Sequence, residues 1–306
     1  MSEKPLIAIV GPTGAGKSAL ASNLAERFRG EIVNYDSLQL YRGFSIGTAK
    51  TPESQRRGIP HHLLDVLDPS EVYSAGDFAR DARDTIREIS ARDHLPVLAG
   101  GTGFYLRTLL DGLPELPERD PALRERLANR DRRRPGSLHR ILSRLDPAAA
   151  SRIHAHDTQK LIRALEIRLL TPKPAPPPAK AESLRGYRTL KIGLDPDRTV
   201  LYELLDARAL EMFRSGLIEE VKHLLDAGYT GREKPFESLG YRQALEYAGG
   251  SLTLDQAVAS TQLETRQYAK RQWTWFRRDP QVRWLSGFGN TPSTVEQCVE
   301  MVRAFV

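Results

Sequence analysis

Ile7-Ala8-Ile9-Val10-Gly11-Pro12-Thr13-Gly14-Ala15-Gly16-Lys17-Ser18 is the stretch whose reading decides the fold. Four apolar residues suited to a buried parallel strand run directly into Gly-x-x-x-x-Gly-Lys-Ser. Leu20, Leu24 and Phe28 then recur at the spacing of one helix face. Strand, glycine loop and helix together are the context of a phosphate-binding P-loop. Glycines let the backbone wrap an anion with its N–H groups pointing inward, and the helix N-terminus adds positive potential there. Lys17 is then expected on phosphate oxygens, and the Ser18 hydroxyl on an accompanying Mg²⁺. A plain glycine turn joining strand to helix is the bland alternative, and the complete pattern in its proper context outweighs it. The loop alone does not say which phosphates it holds.

Outward from this stretch, the first hundred residues alternate strand and helix signals, as a doubly wound sheet requires. Glu31 to Asn34 reads as a strand leading into Tyr35-Asp36-Ser37. Phe78, Ala82, Ile86 and Ile89 recur at helical spacing, and Pro96 to Ala99 is a strand ending in Gly100-Gly101-Thr102. Ligands of open α/β sheets sit beyond the carboxyl ends of the strands, so the P-loop, Asp36 and Thr102 should converge on one pocket. From about Leu113 the alternation stops. Asp120-Pro121, Ser137, Asp146-Pro147 and Asp157 each open a helical segment, and the region is rich in arginine, including Arg130 and Arg132-Arg133-Arg134. Pro172 to Pro178 reads as a stiff or disordered connector. Strand character returns at Arg188 to Leu194. One long helix is expected from about Thr199 to Ala227, closed by Gly228, and another from Thr253 to Arg278. The expected fold is α/β, a P-loop NTPase-like parallel sheet flanked by helices with an inserted all-helical domain. Its core is expected at 1–112 and 187–306, with the insertion and its connector at 113–186.

Composition narrows the class. The 306 residues are 40% apolar and 27% charged, which makes global disorder improbable and allows a substantial core. No apolar run approaches membrane-span length, and the first residues lack a signal-peptide core. The single cysteine, Cys298, rules out an internal disulfide and a cysteine-rich zinc site. A reducing cytoplasm is the expected compartment and a monomer the expected state. The basic excess, 45 Lys and Arg against 39 Asp and Glu, is modest, but its clustering leans towards nucleic acid.

Most P-loops bind ATP, so a nucleotide-binding kinase is one reading, with Arg198 and Arg208 as its arginines. Further motifs point elsewhere: Asn34 to Gly43, Ile46-Gly47-Thr48-Ala49-Lys50, Pro60-His61-His62-Leu63-Leu64-Asp65, Tyr73 to Phe78 and Gly100 to Tyr105. Gly240-Tyr241-Arg242-Gln243 and Ala269 to Arg277 complete the set. In this order the motifs resemble the tRNA dimethylallyltransferases (tRNA isopentenyltransferases), from near residue 6 to about residue 278.

The resemblance implies a kinase-like fold used for prenyl transfer. Gly11, Pro12, Thr13, Gly14, Ala15, Gly16, Lys17 and Ser18 would hold the pyrophosphate of dimethylallyl diphosphate with Mg²⁺. The acceptor would be N6 of an adenosine beside the tRNA anticodon. By the same resemblance Asp36 takes the proton from N6, Thr102 touches the target nucleotide, and Lys17 stabilises the leaving group. The family's tRNA contacts map to Asp36, Ser37, Leu38, Gln39, Thr102 and Arg124, to Gln159, Lys160, Leu161, Ile162 and Arg163, and to Gly240, Tyr241, Arg242 and Gln243. In the Lys270-Arg271-Gln272 segment, periodicity puts Trp275 and Phe276 in the core and turns the basic residues towards pyrophosphate or tRNA.

The P-loop has Gly14-Ala15 where the family commonly has Ala and a variable residue, and Ser18 where Thr is commoner. Ser keeps the metal-binding hydroxyl. Two other enzymatic readings stand beside tRNA prenylation: prenylation of free AMP, ADP or ATP, and phosphoryl transfer by a kinase. A basic helical insertion of roughly seventy residues argues against a free-nucleotide acceptor, which needs no such surface. An RNA-binding module without catalysis leaves Lys17, Ser18 and Asp36 unexplained.

Overall fold

A computed structural model describes residues 3–113, 116–171 and 183–306. Two compact units result, Met1–Asp111 with Ser183–Val306, and Gly112–Glu182. The expected connector at Pro172 to Pro178 lies outside the described residues.

The larger unit begins with β1 (Lys4–Val10), α1 (Lys17–Arg27), β2 (Gly30–Asn34) and β3 (His61–His62). Then come α2 (Ala75–Ala91), β4 (Leu95–Ala99) and α3 (Gly103–Asp111). The smaller unit holds α4 (Pro121–Arg133), α5 (Ser137–Leu145), α6 (Pro147–Ala150) and α7 (Thr158–Leu170). The larger unit resumes with β5 (Tyr187–Asp195), α8 (Arg198–Arg214), α9 (Leu217–Asp226) and α10 (Tyr241–Ala248). It ends with α11 (Leu254–Phe276), β6 (Val282–Ser286) and α12 (Pro292–Arg303).

Among the described residues six strands form one sheet in the order β3-β2-β4-β1-β5-β6, and each of their pairings is parallel. A central parallel strand is covered on both faces, which is why β1 is a continuous apolar run. Alternation still sorts it: Leu6, Ala8 and Val10 join the core under α2 and α3. Ile7 and Ile9 join the opposite core with Leu20 and Leu24 of α1 and Val299 and Val302 of α12. The register pairs Ile7 with Val97 and with Leu190, so the strand ends after Val10, Ala99 and Asp195 share one sheet edge. The Tyr35 hydroxyl, wholly buried, donates to the carbonyl of Ile9 and ties the end of β2 to that edge.

The single long helix expected at 199–227 is two helices. Ser215 closes α8, and Gly216 takes φ 99° as the N-cap of α9, a left-handed conformation that glycine adopts without penalty. The two-residue strand β3 and the helices α3, α10 and α12 were not foreseen, because their motifs read as loops or had no distinctive period.

The smaller unit has its own core of Leu123, Leu127, Leu138, Leu142, Leu161, Ile162 and Leu165. Three of its helices start on an aspartate whose side chain accepts a backbone N–H one turn on: Asp120, Asp146 and Asp157. Among the described residues no helix is long and apolar enough to cross a membrane.

Candidate active site

β1 delivers the chain into the P-loop with Gly11 at φ 135°, where a Cβ would lie 2.8 Å from the Leu194 carbonyl oxygen. Gly16, at φ 86°, caps α1 and leaves the helix N-terminus facing the loop. Lys17 folds back over that loop, its Nζ donating to the Pro12 carbonyl at 2.7 Å. Burial pushes its ammonium down to about 8, against the attraction of Asp36 and with the repulsion of Arg208. Cation, glycine backbone and helix terminus thus meet at one place, an arrangement suited to an anion.

β2 delivers Asp36 to the same edge. Asn34 shapes the turn: its side-chain oxygen accepts from Asp36 N at 2.9 Å, and its amide donates to the carbonyls of Asp36 and Leu63. Asp36 Oδ1 accepts the Leu38 N–H at 3.0 Å, while Oδ2 lies beside Gly101. The carboxylate keeps part of its surface towards a cavity and is enclosed by protein elsewhere. That enclosure raises its pKa, and the Leu38 amide, Lys17 and Arg208 only partly oppose the rise. A carboxylate of raised basicity, turned towards a cavity, is equipped to accept a proton.

β4 delivers the third loop. Thr102 Oγ1 accepts the Ser37 N–H at 3.0 Å and donates to the Ser37 hydroxyl at 3.1 Å, coupling the Gly-Gly-Thr loop to the Asp-Ser turn. Lys17 thus lies within charge range of Asp36, and Thr102 is bonded to the residue that follows Asp36.

The cavity beside them has a volume of about 400 Å³. Its lining combines polar side chains, among them Thr13, Asp36, Arg208, Tyr268 and Arg271, with the apolar Leu205, Ala209, Met212 and Leu239. An anion cradle, an apolar wall and a basic carboxylate are what the transfer of a short hydrocarbon group from a phosphorylated donor requires.

Three contributors escaped the sequence reading in this role. Arg208 was considered only for a kinase; here burial lowers its pKa while Asp36 opposes that effect. Its signal was an arginine at 208 on the face of Leu201 and Leu205, spaced as i, i+4 and i+7. Tyr268 lines the cavity and places its hydroxyl 3.4 Å from the Gly101 carbonyl. Gln272, 4% exposed, accepts the Thr13 N–H at 2.6 Å and donates to the Gly101 carbonyl at 2.8 Å. One side chain of α11 thus joins the P-loop to the Gly-Gly-Thr loop. Thr261, Thr265, Tyr268, Gln272 and Phe276 occupy a single face of α11, so a glutamine at a core position was the available signal.

Several expected contacts sit differently. Tyr241 and Gln243 are wholly buried. The Tyr241 hydroxyl meets the Glu220 carboxylate and the Gly47 N–H, and Gln243 accepts from Gly240 N, so both serve the local frame rather than present surface. Arg242 pairs with Glu264. Leu161 and Ile162 belong to the core of the smaller unit, leaving Gln159 and Lys160 as the exposed pair. Arg124 and Arg163 both engage Glu166, whose carboxylate is buried. Trp275, expected in the core, is 36% exposed, whereas Trp273 and Phe276 are buried.

Ser18 is exposed at the first turn of α1. No group of three His, Cys, Asp or Glu side chains among the described residues forms a metal cage. A hydroxyl next to an anion cradle matches a Mg²⁺ ion held mainly by phosphate oxygens and water.

The family model described as IPP transferase matches residues 39–279. The chain is 58% identical over 304 residues to a tRNA dimethylallyltransferase of Solibacter usitatus, covering 99% of each. It is 51% identical to one of Koribacter versatilis, again with 99% of both chains covered. Among solved structures it is similar to the tRNA isopentenylpyrophosphate transferase of Bacillus halodurans. That likeness has a TM-score of 0.74 at 37% identity and covers 99% of this chain and 96% of that one. A eukaryotic dimethylallyltransferase, described as acting on tRNA, matches with a TM-score of 0.79 at 26% identity, over 99% and 79% of the two chains.

Proposed function

The chain belongs to the IPP transferase family, and on that premise we propose that it transfers a dimethylallyl group from dimethylallyl diphosphate to N6 of the tRNA adenosine 3′-adjacent to the anticodon, releasing pyrophosphate. The observation that carries the reading is the enclosed Asp36 carboxylate within charge range of Lys17 and Arg208, with Thr102 bonded to the adjoining Ser37, on a cavity that Asp36 and Arg208 line together with the apolar Leu205, Ala209 and Met212.

The P-loop amides, Lys17 and Arg208 receive the diphosphate, and Leu205, Ala209 and Met212 face the hydrocarbon. As N6 attacks the allylic carbon, the carbon–oxygen bond to the diphosphate breaks and the electron pair leaves with the phosphate oxygen. Lys17 and Arg208 stabilise that charge as it develops, where fixed cations act most strongly. The N6 proton passes to Asp36, whose enclosure makes it a stronger base than a solvated carboxylate. Thr102 and Ser37, already hydrogen-bonded, place the acceptor. Ser18 would hold Mg²⁺, which supplies further charge neutralisation on the diphosphate. The acceptor base must leave its stack to reach the cavity, which favours a single-stranded loop. In the smaller unit Gln159, Lys160 and Arg163 are proposed to meet the RNA, with Leu161 and Ile162 holding the helix that presents them. The protein is proposed to act as a monomer.

The test is a transfer assay with labelled dimethylallyl diphosphate and Mg²⁺, offering an anticodon stem-loop or AMP. Label should enter the stem-loop. Transfer to AMP alone would overturn the acceptor, and transfer to neither would return the P-loop to a kinase reading.

A further inference from the structure

Trp275 leaves an unexplained surface. The first residue of α3, Gly103, follows Thr102 directly, and a Cβ there would lie 2.2 Å from both Cδ1 and Nε1 of Trp275. The indole is therefore seated against the α3 backbone with over a third of its surface in solvent. Phe104 beside it is 43% exposed. The guanidinium of Arg107 lies 5.7 Å from the Trp275 centroid and 6.0 Å from that of Phe104, bridging the two rings. A groove of about 350 Å³, within the size range of small-molecule sites, runs along Gly103, Arg107, Trp275 and Arg278, with Asp111 also on it and Asp279 paired there with Lys191. It is distinct from the cavity that holds Asp36.

Two exposed aromatic rings joined by an arginine, with a second arginine on the groove, make a surface for a flat, unstacked base on an anionic backbone. One residue separates this surface from the loop that places the acceptor. We propose that Phe104, Arg107 and Trp275 form a stacking subsite for a second unpaired nucleotide, the immediate neighbour of the adenosine being modified. This rests on the RNA-modifying reading. It adds that extrusion of the acceptor is supported by capturing a flanking base, which replaces part of the stacking that the loop loses.

The experiment uses the full chain, dimethylallyl diphosphate and three anticodon stem-loops: intact, or abasic at one or the other neighbour of the acceptor. Trp275→Leu should raise the KM for the intact stem-loop by about tenfold, the scale of one base–aromatic stack. The KM for dimethylallyl diphosphate should stay within about twofold. Trp275→Phe should restore most of the loss. With the stem-loop lacking the captured base, the wild type should show the same rise and Trp275→Leu should add nothing. Arg107→Met, at an exposed position, should reproduce the pattern at smaller amplitude and guards against misfolding of the tryptophan variant. An equal penalty on all three RNAs, or one on the diphosphate KM, would overturn the subsite and leave Trp275 as a structural or protein-docking residue. Failure of the wild type to modify the intact stem-loop would instead remove the RNA reading and the subsite with it.

Discussion

At the residue scale the site is an arrangement of displaced proton affinities. Lys17 is charged below about pH 8 and neutral above it, so its hold on the diphosphate should weaken as pH rises through that value. Asp36, with a raised pKa, is ionised only above the ordinary carboxylate range. The kcat/KM for the diphosphate should therefore be bell-shaped, with its alkaline limb near pH 8 and its acid limb above that of a solvated aspartate. Lys17→Arg should flatten the alkaline limb while lowering the plateau, because a guanidinium stays charged. An unmoved limb would assign it to another group. Gln272 offers a second test. Gln272→Met leaves the Thr13 N–H without its partner and the Gly101 carbonyl with only the long bond from Tyr268, a loss of roughly 1–3 kcal/mol for the Thr13 group. Initial-rate kinetics should show the KM for diphosphate and that for RNA rising together, whereas a purely structural glutamine would lower only thermal stability. The placement of Lys17 on the P-loop was legible because its motif is contiguous. Arg208 and Gln272 were not, because their partners stand far away in sequence and meet them only through the parallel sheet.

At the element scale, two buried carboxylates show how the strands and helices are held. Burial alone would raise the Glu31 carboxyl, but donation from Arg92, with His62 and His94 against the same group, outweighs it and holds it at about 2. A carboxyl depressed in the folded state stabilises above its unfolded value and loses that contribution as pH falls. The window here runs from about 4.5 down to about 2. Glu31→Gln should unfold with a flatter pH dependence in that range and be less stable at neutral pH by about 3 kcal/mol. Denaturant titration at several pH values measures both. In the smaller unit Glu166 accepts Asp120 N at 2.8 Å and meets Arg124 and Arg163. Glu166→Leu strands two guanidinium groups and should cost that unit about 3 kcal/mol, read as a lowered melting step. The regular elements were visible where hydrophobic spacing had a clear period, as in α1, α2 and α11. The break at Gly216 was missed because apolar spacing continues through Leu217 and Val221, and only the Ser215-Gly216 pair marks it. Trp275 was misplaced for the opposite reason: aromatic residues two and one positions either side of it are buried, and the pattern extended across it.

At the scale of the whole molecule, the proposed function has a P-loop scaffold hold a group that departs rather than one that is transferred. Three loops from β1, β2 and β4 bring the P-loop, Asp36 and Thr102 to the same sheet edge, α8 and α11 add Arg208 and Tyr268 to the cavity, and Gln272 ties two of the loops together. The inserted helices present basic side chains on an independent core. This organisation could be read from sequence because strand–loop–helix alternation and its interruption are coarse features. The cavity's mixture of charged and apolar lining was not readable, since much of it comes from α8 and α11 in the far half of the chain. The central claim is that Asp36 takes the proton while the P-loop keeps the diphosphate. It is tested most directly by single-turnover transfer to a stem-loop with Asp36→Asn, alongside the variant's RNA affinity. The rate should fall by about 10²-fold or more, with RNA binding within about threefold of the wild type. A rate left near the wild-type value, or a parallel loss of rate and binding, would contradict it.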